Sequence, residues 1–175
     1  RHNVTICNIP GANSLSVAEF ALGLMFAVTR TIPLYDRWMR IGRWERVVGR
    51  ELGGKALGLL GIGNIGGHLA RLGRGIGMHV IGWSRRGDTA RAAELGVELV
   101  GRHEVFQQSD VLSLHLRGTP DNQGAVGARE LAMMKPGAVL INTARGVLVD
   151  HEALLHALRE GRLAGAGLDV HIPEP

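Results

Sequence analysis

The hexapeptide Gly61-Ile62-Gly63-Asn64-Ile65-Gly66 constrains the fold of this chain more than any other stretch. It directly follows the apolar run Leu57-Gly58-Leu59-Leu60 and directly opens a helical segment from Ile65 to Leu72. A strand that turns through glycines straight into a helix is the first half of a strand–helix–strand unit, whose two strands lie parallel. The rest of the chain repeats that theme. Short apolar runs recur at 56–60, 78–83, 97–100, 111–116, 138–141 and 166–170, with helical segments near 65–75, 88–95, 102–108, 127–134 and 151–160. The last helix is the best marked, with Asp150 as its N-cap and Gly161 as its stop. Short apolar strands alternating with helices imply a parallel sheet covered on both faces. The expected fold class is α/β, a Rossmann-type doubly wound parallel sheet in three αβα layers.

Each glycine of the hexapeptide has a physical task in that setting. Gly61 makes the tight turn, Gly63 lets the backbone approach an anion, and Gly66 lets helix and strand pack closely. The start of the helix, at Asn64 and Ile65, offers free N–H groups and a positive dipole end. The chemistry that fits is a dinucleotide pyrophosphate. The second strand ends about 20 residues on, where NAD-binding domains usually carry an acid for the adenosine ribose hydroxyls. Here the chain reads Ser84-Arg85-Arg86 instead. A guanidinium matches a phosphate dianion in charge and fork geometry, so Ser84 with Arg85 or Arg86 is expected to hold a 2′-phosphate. NADP is therefore favoured over NAD as the cofactor. The alternative is a surface Arg pair over a permissive NAD site.

Residues 1–50 read differently. An apolar run from Val4 to Ile9 breaks at Pro10-Gly11, and Ser16-Val17-Ala18-Glu19 has the form of a capping box. The helix after it is apolar on nearly every side as far as Val28, so it is expected to be buried, in this domain or against a second subunit. Pro33 ends the run. Between residues 34 and 50, Trp38 and Trp44 stand among five arginines, a composition enriched at protein interfaces. An oligomer contact, most simply a homodimer, is favoured over a surface helix with two half-buried rings. Residues 1–50 are thus expected to form a buried helix and a dimerisation arm, part of the same domain as the dinucleotide-binding core at 51–175.

Composition narrows the remaining classes. The net charge of +4 suits nucleic acid, but the basic residues are dispersed and aromatics are only 4%, so no nucleic-acid partner is expected. The single cysteine excludes an internal disulfide and fits a reducing cytoplasm. The most apolar stretch is far too short to span a bilayer, so no membrane association is expected. No histidine pair stands with a carboxylate at metal-ligand spacing, so no metal site is expected either.

Several blocks in order resemble the D-isomer-specific 2-hydroxyacid dehydrogenases, a family that includes glyoxylate/hydroxypyruvate reductases and phosphoglycerate dehydrogenase. They are residues 8–13, Ser16-Val17-Ala18-Glu19, the Gly61–Gly66 loop, 109–115, Met134-Lys135-Pro136-Gly137, Ile141-Asn142-Thr143-Ala144-Arg145-Gly146, Val149-Asp150, and 163–170 with Glu174-Pro175. The resemblance covers essentially the whole chain and implies hydride transfer between NAD(P)H and a D-2-hydroxy or 2-keto acid. It implies that Arg145 binds the substrate carboxylate and that Glu174 pairs with a catalytic histidine. Asp169 falls near the nicotinamide carboxamide, Thr143 and Ala144 around the nicotinamide ribose, and Leu116 and Val17 along the cofactor. After His115 the family commonly shows a Pro-Leu-Thr-like turn, whereas this chain reads Leu116-Arg117-Gly118-Thr119-Pro120. The family's substrate-binding lobe precedes the position of Arg1, and its acid–base histidine lies beyond Glu174. The 175 residues alone are therefore expected to bind dinucleotide with little or no turnover. The alternative within the same resemblance is a non-catalytic, dinucleotide-dependent interaction module.

Overall fold

The computed structural model describes Val4, Cys7, Ile9 and residues 11–173, so Glu174 and most of the first apolar run lie outside the described residues. Six strands form one all-parallel sheet: β1 (Ala56–Leu60), β2 (His79–Trp83), β3 (Glu98–Leu99), β4 (Val111–Leu114), β5 (Ala138–Asn142) and β6 (Leu163–Leu168). Their order is β3-β2-β1-β4-β5-β6. The strand order reverses between β1 and β4, and ligands bind at the carboxyl edge of such a reversal. Among the described residues seven α-helices accompany the sheet: α1 (Ser14–Thr29), α2 (Ile32–Arg40), α3 (Asn64–Gly75), α4 (Thr89–Leu95), α5 (Arg102–Gln108), α6 (Ala128–Met133) and α7 (His151–Arg159).

The strands read as continuous apolar runs because both faces are covered. Along β1, β4 and β5, Leu57, Leu59, Val111, Val139 and Ile141 pack under α1, α3 and α4. The alternate residues Leu60, Leu112, Leu114 and Leu140 pack with Val105, Phe106, Leu131 and Leu154 on the other side. This is the period-two alternation of a strand, with apolar residues on both of its phases. Asp150 accepts from the Ala153 amide at 3.1 Å, and Gly161 takes a left-handed φ of 66°, so α7 is bounded as its sequence predicts.

The departures are local. The last strand begins at Leu163 rather than Ala166. Gly165 and Gly167 dilute its apolar signal, but a Cβ on either would meet Val28 or Leu24 of α1, so these glycines are what lets α1 lie on the strand. The Ser16–Glu19 capping box is not used. The amides of Ser14 and Val17 already bond to the carbonyls of Gly11 and Asn13, so α1 starts at Ser14 and leaves both Ser16 and Glu19 exposed. Within this chain α1 buries one stripe (Ala18, Ala21, Met25), while Leu15 and Phe20 are about half exposed. The break after it falls at Thr31, in left-handed conformation, and Pro33 sits in the first turn of α2, where proline is tolerated. Helix α2 stops at Arg40. Beyond Gly42 the arm runs without helix back to the end of α1, where the Arg50 amide donates to the Thr29 carbonyl. No single helix among the described residues is long and apolar enough to cross a membrane.

Candidate dinucleotide and substrate site

The parallel register brings the carboxyl ends of five strands to one edge. Leu60 pairs with Trp83 and Leu114, and Asn142 with Leu114 and Leu168. The segments leaving these positions carry nearly every residue singled out in the sequence: the glycine loop, Ser84–Arg86, Leu116, Thr143–Arg145 and Asp169.

Gly61 has φ of 111°, and its missing Cβ would lie 2.8 Å from the His115 carbonyl oxygen. Its amide donates to the Trp83 carbonyl at 2.8 Å, so the loop is stitched to both neighbouring strands. Gly66 is required for a different reason: a Cβ there would collide with the Gly61 carbonyl oxygen. Gly63 is unlike both. It has a negative φ, and a Cβ on it would meet nothing within 4 Å. Its lack of a side chain keeps open a space on the ligand side of the loop. The first helical bond of α3 runs from the Gly67 amide to the Gly63 carbonyl, which leaves the amides of Asn64, Ile65 and Gly66 ahead of it without an intrahelical acceptor. An open cradle rimmed by unpaired amides fits a pyrophosphate.

The turn after β2 is more cationic than the sequence motif alone foretold. Ser84 Oγ accepts from the Gly87 amide at 3.2 Å and thereby shapes the turn. Arg85 reaches across to Asn122, its Nη2 donating to Oδ1 at 3.0 Å, while Arg86 is exposed. Arg91 on α4 was not foreseen. Its Nη2 lies 3.5 Å from the Gly63 carbonyl oxygen, so a third guanidinium overhangs the glycine loop. Its spacing of five residues from Arg86 gives no motif; only the orientation of α4 reveals it.

On the opposite flank, Asn142 organises the turn after β5. Buried at 1% exposure, it donates through Nδ2 to the Arg145 carbonyl at 2.9 Å and accepts at Oδ1 from the Ala144 amide at 3.1 Å. Its backbone carbonyl accepts from Asp169, which ties in the end of β6. The Arg145 side chain is exposed, and Gly146 behind it packs so closely on the His171 backbone that a Cβ would not fit. Thr143 Oγ1 is buried without a hydrogen-bond partner, the one such side-chain atom among the described residues. A buried hydroxyl with unspent capacity beside a ligand edge is what a bound polar group would satisfy. Leu116 touches the glycine loop, 3.3 Å from where a Gly61 Cβ would stand, and Val17 is half-buried on α1.

His115 sits between these flanks. Its ring Nε2 is 3.0 Å from Ser113 Oγ, and burial lowers its pKa from 6.5 to about 4, so it is neutral near pH 7. Among the described residues no group of three or more His, Cys, Asp or Glu is placed to hold a metal ion.

Sheet order, glycine cradle and amide-rimmed helix start together define a dinucleotide-binding Rossmann domain. Residues 22–175 match the family model described as D-isomer specific 2-hydroxyacid dehydrogenase, NAD binding domain. The chain belongs to that family. It is 39% identical over 184 residues to the glyoxylate reductase of Thermococcus litoralis, with all of this chain and 56% of that protein covered. To the D-3-phosphoglycerate dehydrogenase of Archaeoglobus fulgidus it is 37% identical over 177 residues, covering all of this chain and 34% of the other. Among solved structures, one reported with the identification of the pyruvate reductase of Chlamydomonas reinhardtii superposes with a TM-score of 0.91 at 32% identity, covering 97% of this chain and 51% of that one. The chain thus spans between a third and just over half of the curated relatives it matches.

Proposed function

We propose that this domain binds NADPH in preference to NADH and serves an enzyme that reduces a small 2-keto acid, glyoxylate or hydroxypyruvate, to its D-2-hydroxy acid. The observation that carries the reading is the open space over Gly63, at the sheet edge that also bears Ser84–Arg85–Arg86 after β2 and Arg145 after β5. Gly61, Gly63, Asn64, Ile65 and Gly66 hold the pyrophosphate, and Ser84, Arg85 and Arg86 the 2′-phosphate. Thr143, Ala144, Asp169, Leu116 and Val17 border the nicotinamide half. When bound, the nicotinamide exchanges a hydride with substrate C2. Arg145 grips the substrate carboxylate through parallel N–H donors and polarises the keto oxygen. Glu174 supports the histidine that moves the proton to that oxygen in the complete enzyme. The exposed arm around Trp44 packs on a second copy of the chain.

A fluorescence titration of the chain with NADPH and NADH tests the cofactor assignment, and equal or tighter NADH binding would end it. In the complete enzyme, Arg145→Gln is expected to lower kcat/KM for glyoxylate by about a hundredfold or more. A loss under threefold would remove Arg145 from the substrate.

A further inference from the structure

We propose that Asn122 is a positioning residue that aims Arg85 at the adenosine end of the cofactor and so sets the preference for a 2′-phosphorylated dinucleotide. The inference rests on the reading of Arg85 as a 2′-phosphate ligand and extends it to a residue on a different loop.

Two hydrogen bonds carry the argument. Asn122 Nδ2 donates to the Arg117 carbonyl at 2.9 Å, and Asn122 Oδ1 accepts from Arg85 Nη2 at 3.0 Å. A carbonyl only accepts and a guanidinium only donates, so the two partners fix which way the amide faces. Among residues of this length only an amide can serve both at once. Leucine can serve neither, and an ionised aspartate cannot donate to Arg117.

The loop that presents Asn122 is itself anchored. Residues Pro120–Asn122 form a single 3₁₀ turn closed by the Asn122 amide on the Thr119 carbonyl. The Gly124 amide then donates to the Val147 carbonyl at 2.9 Å, next to the turn that bears Arg145. Gly118 lies so close to Arg145 that a Cβ on it would stand 2.8 Å from Arg145 Cγ. One loop therefore runs from the substrate arginine to the arginine at the adenosine end, and Asn122 is its contact with the latter.

The chemistry of the contact favours a phosphate. A neutral amide oxygen occupies one of the five guanidinium N–H donors and leaves the full positive charge and the remaining donors for a dianion. It also removes part of the rotamer freedom that a long, exposed arginine would lose on binding, which is the general advantage of preorganisation. A carboxylate at the same position would neutralise Arg85 and compete with the 2′-phosphate.

The test uses adenosine 2′,5′-bisphosphate and ADP as probes, titrated against the chain and its variants, with thermal unfolding as the check on folding. The wild type is expected to prefer the 2′-phosphorylated probe. Asn122→Ala is expected to cut that preference about fivefold, the size of one lost hydrogen bond, with ADP affinity within twofold of wild type. Asn122→Asp is expected to cut it about tenfold or more, because it adds a competing charge. Arg85→Ala is expected to abolish it. If both Asn122 variants keep the wild-type preference while Arg85→Ala loses it, the positioning role is overturned and the Arg85 reading stands. If Arg85→Ala also keeps the preference, the Arg85 reading falls, and the role of Asn122 with it.

Discussion

Gly66 and Gly61 face each other across the turn so closely that a single methyl on Gly66 would stand well inside contact distance of the Gly61 carbonyl oxygen. Gly63, between them, has free space where its side chain would be. The two positions therefore separate structure from ligand. Gly66→Ala is expected to push α3 off β1 and to lower both Tm and dinucleotide affinity. Gly63→Ala is expected to cost only the weaker N-cap, about 1 kcal/mol or some 2–4 °C in Tm, while weakening NADPH at least about tenfold by filling the cradle. Parallel thermal melts and NADPH titrations check this. Unchanged affinity in Gly63→Ala would mean that the pyrophosphate does not lie there.

Asn142 is expected to be the main fastener of the turn that carries Arg145. Replacing it with alanine leaves the Ala144 amide without its side-chain partner and removes a donor from the Arg145 carbonyl, both partly buried bonds made by a buried side chain. Loss of these two partly buried hydrogen bonds is expected to cost about 2 kcal/mol and thus about 4–8 °C in Tm. Asn142→Asp keeps the acceptor but sets a carboxylate against the Arg145 carbonyl. It is expected to be at least as unstable near pH 7 and to recover partly in acid, where the protonated group donates again. A melt of either variant within a degree of wild type would contradict this.

His115 gives the domain a specific sensitivity to acid. Its folded pKa of about 4 lies below the unfolded value of 6.5, so the unfolded chain takes up the proton first. Its contribution to stability is complete above pH 6.5 and is lost as pH falls from 6.5 toward 4, at up to about 1.4 kcal/mol per pH unit. Carboxylates also respond over part of this range, so the readout is a difference. Between pH 7 and 4.5 the wild type is expected to lose about 2–3 kcal/mol more than His115→Asn, measured by urea unfolding at each pH. Superimposable pH curves would show that the imidazole is not held neutral by burial.

The sheet was legible because its signals are local. β1 lies at the predicted residues, and Asp150 and Gly161 bound α7, because a strand buried on both faces and a capped helix each announce themselves within a few residues. β6 was misplaced where the fold needs small residues: Gly165 and Gly167 look like loop until α1 is seen lying on them. Ser16–Glu19 misled in the opposite sense, since the turn at Gly11 starts the helix before the box can act. At the site, the contiguous motifs leave the strand ends along one edge of the sheet, as their place directly after the apolar runs implies. Arg91 and Asn122 were not legible, because each acts through a contact with another loop that no spacing encodes, and the fastening role of Asn142 was not, because an Asn at a strand end suits many turns.

The arm after α1 supplies the last prediction. Its fold within the chain is thin: the Tyr35 hydroxyl bonds to both the amide and the carbonyl of Val47, and Arg43 lies 4.8 Å over the Trp38 ring. Outward, it leaves Trp44 at 83%, Val48 at 91%, Ile41 at 69% and Met39 at 56% exposure. Single exposed apolar residues are ordinary, but four large ones within ten residues, interleaved with arginines, have the composition of an interface core. The half-exposed Leu15 and Phe20 of α1 add to the apolar surface left uncovered. The chain is therefore expected to sediment as a dimer at tens of micromolar, and Trp44→Asp to shift it toward monomer with its circular dichroism unchanged. Because the arm ends with Arg50 on the Gly137 carbonyl, at the edge of the sheet opposite the glycine loop, the variant is expected to retain NADPH affinity within about threefold. A wild-type chain that sediments only as a monomer would refute the second-copy assignment and leave the dinucleotide site untouched.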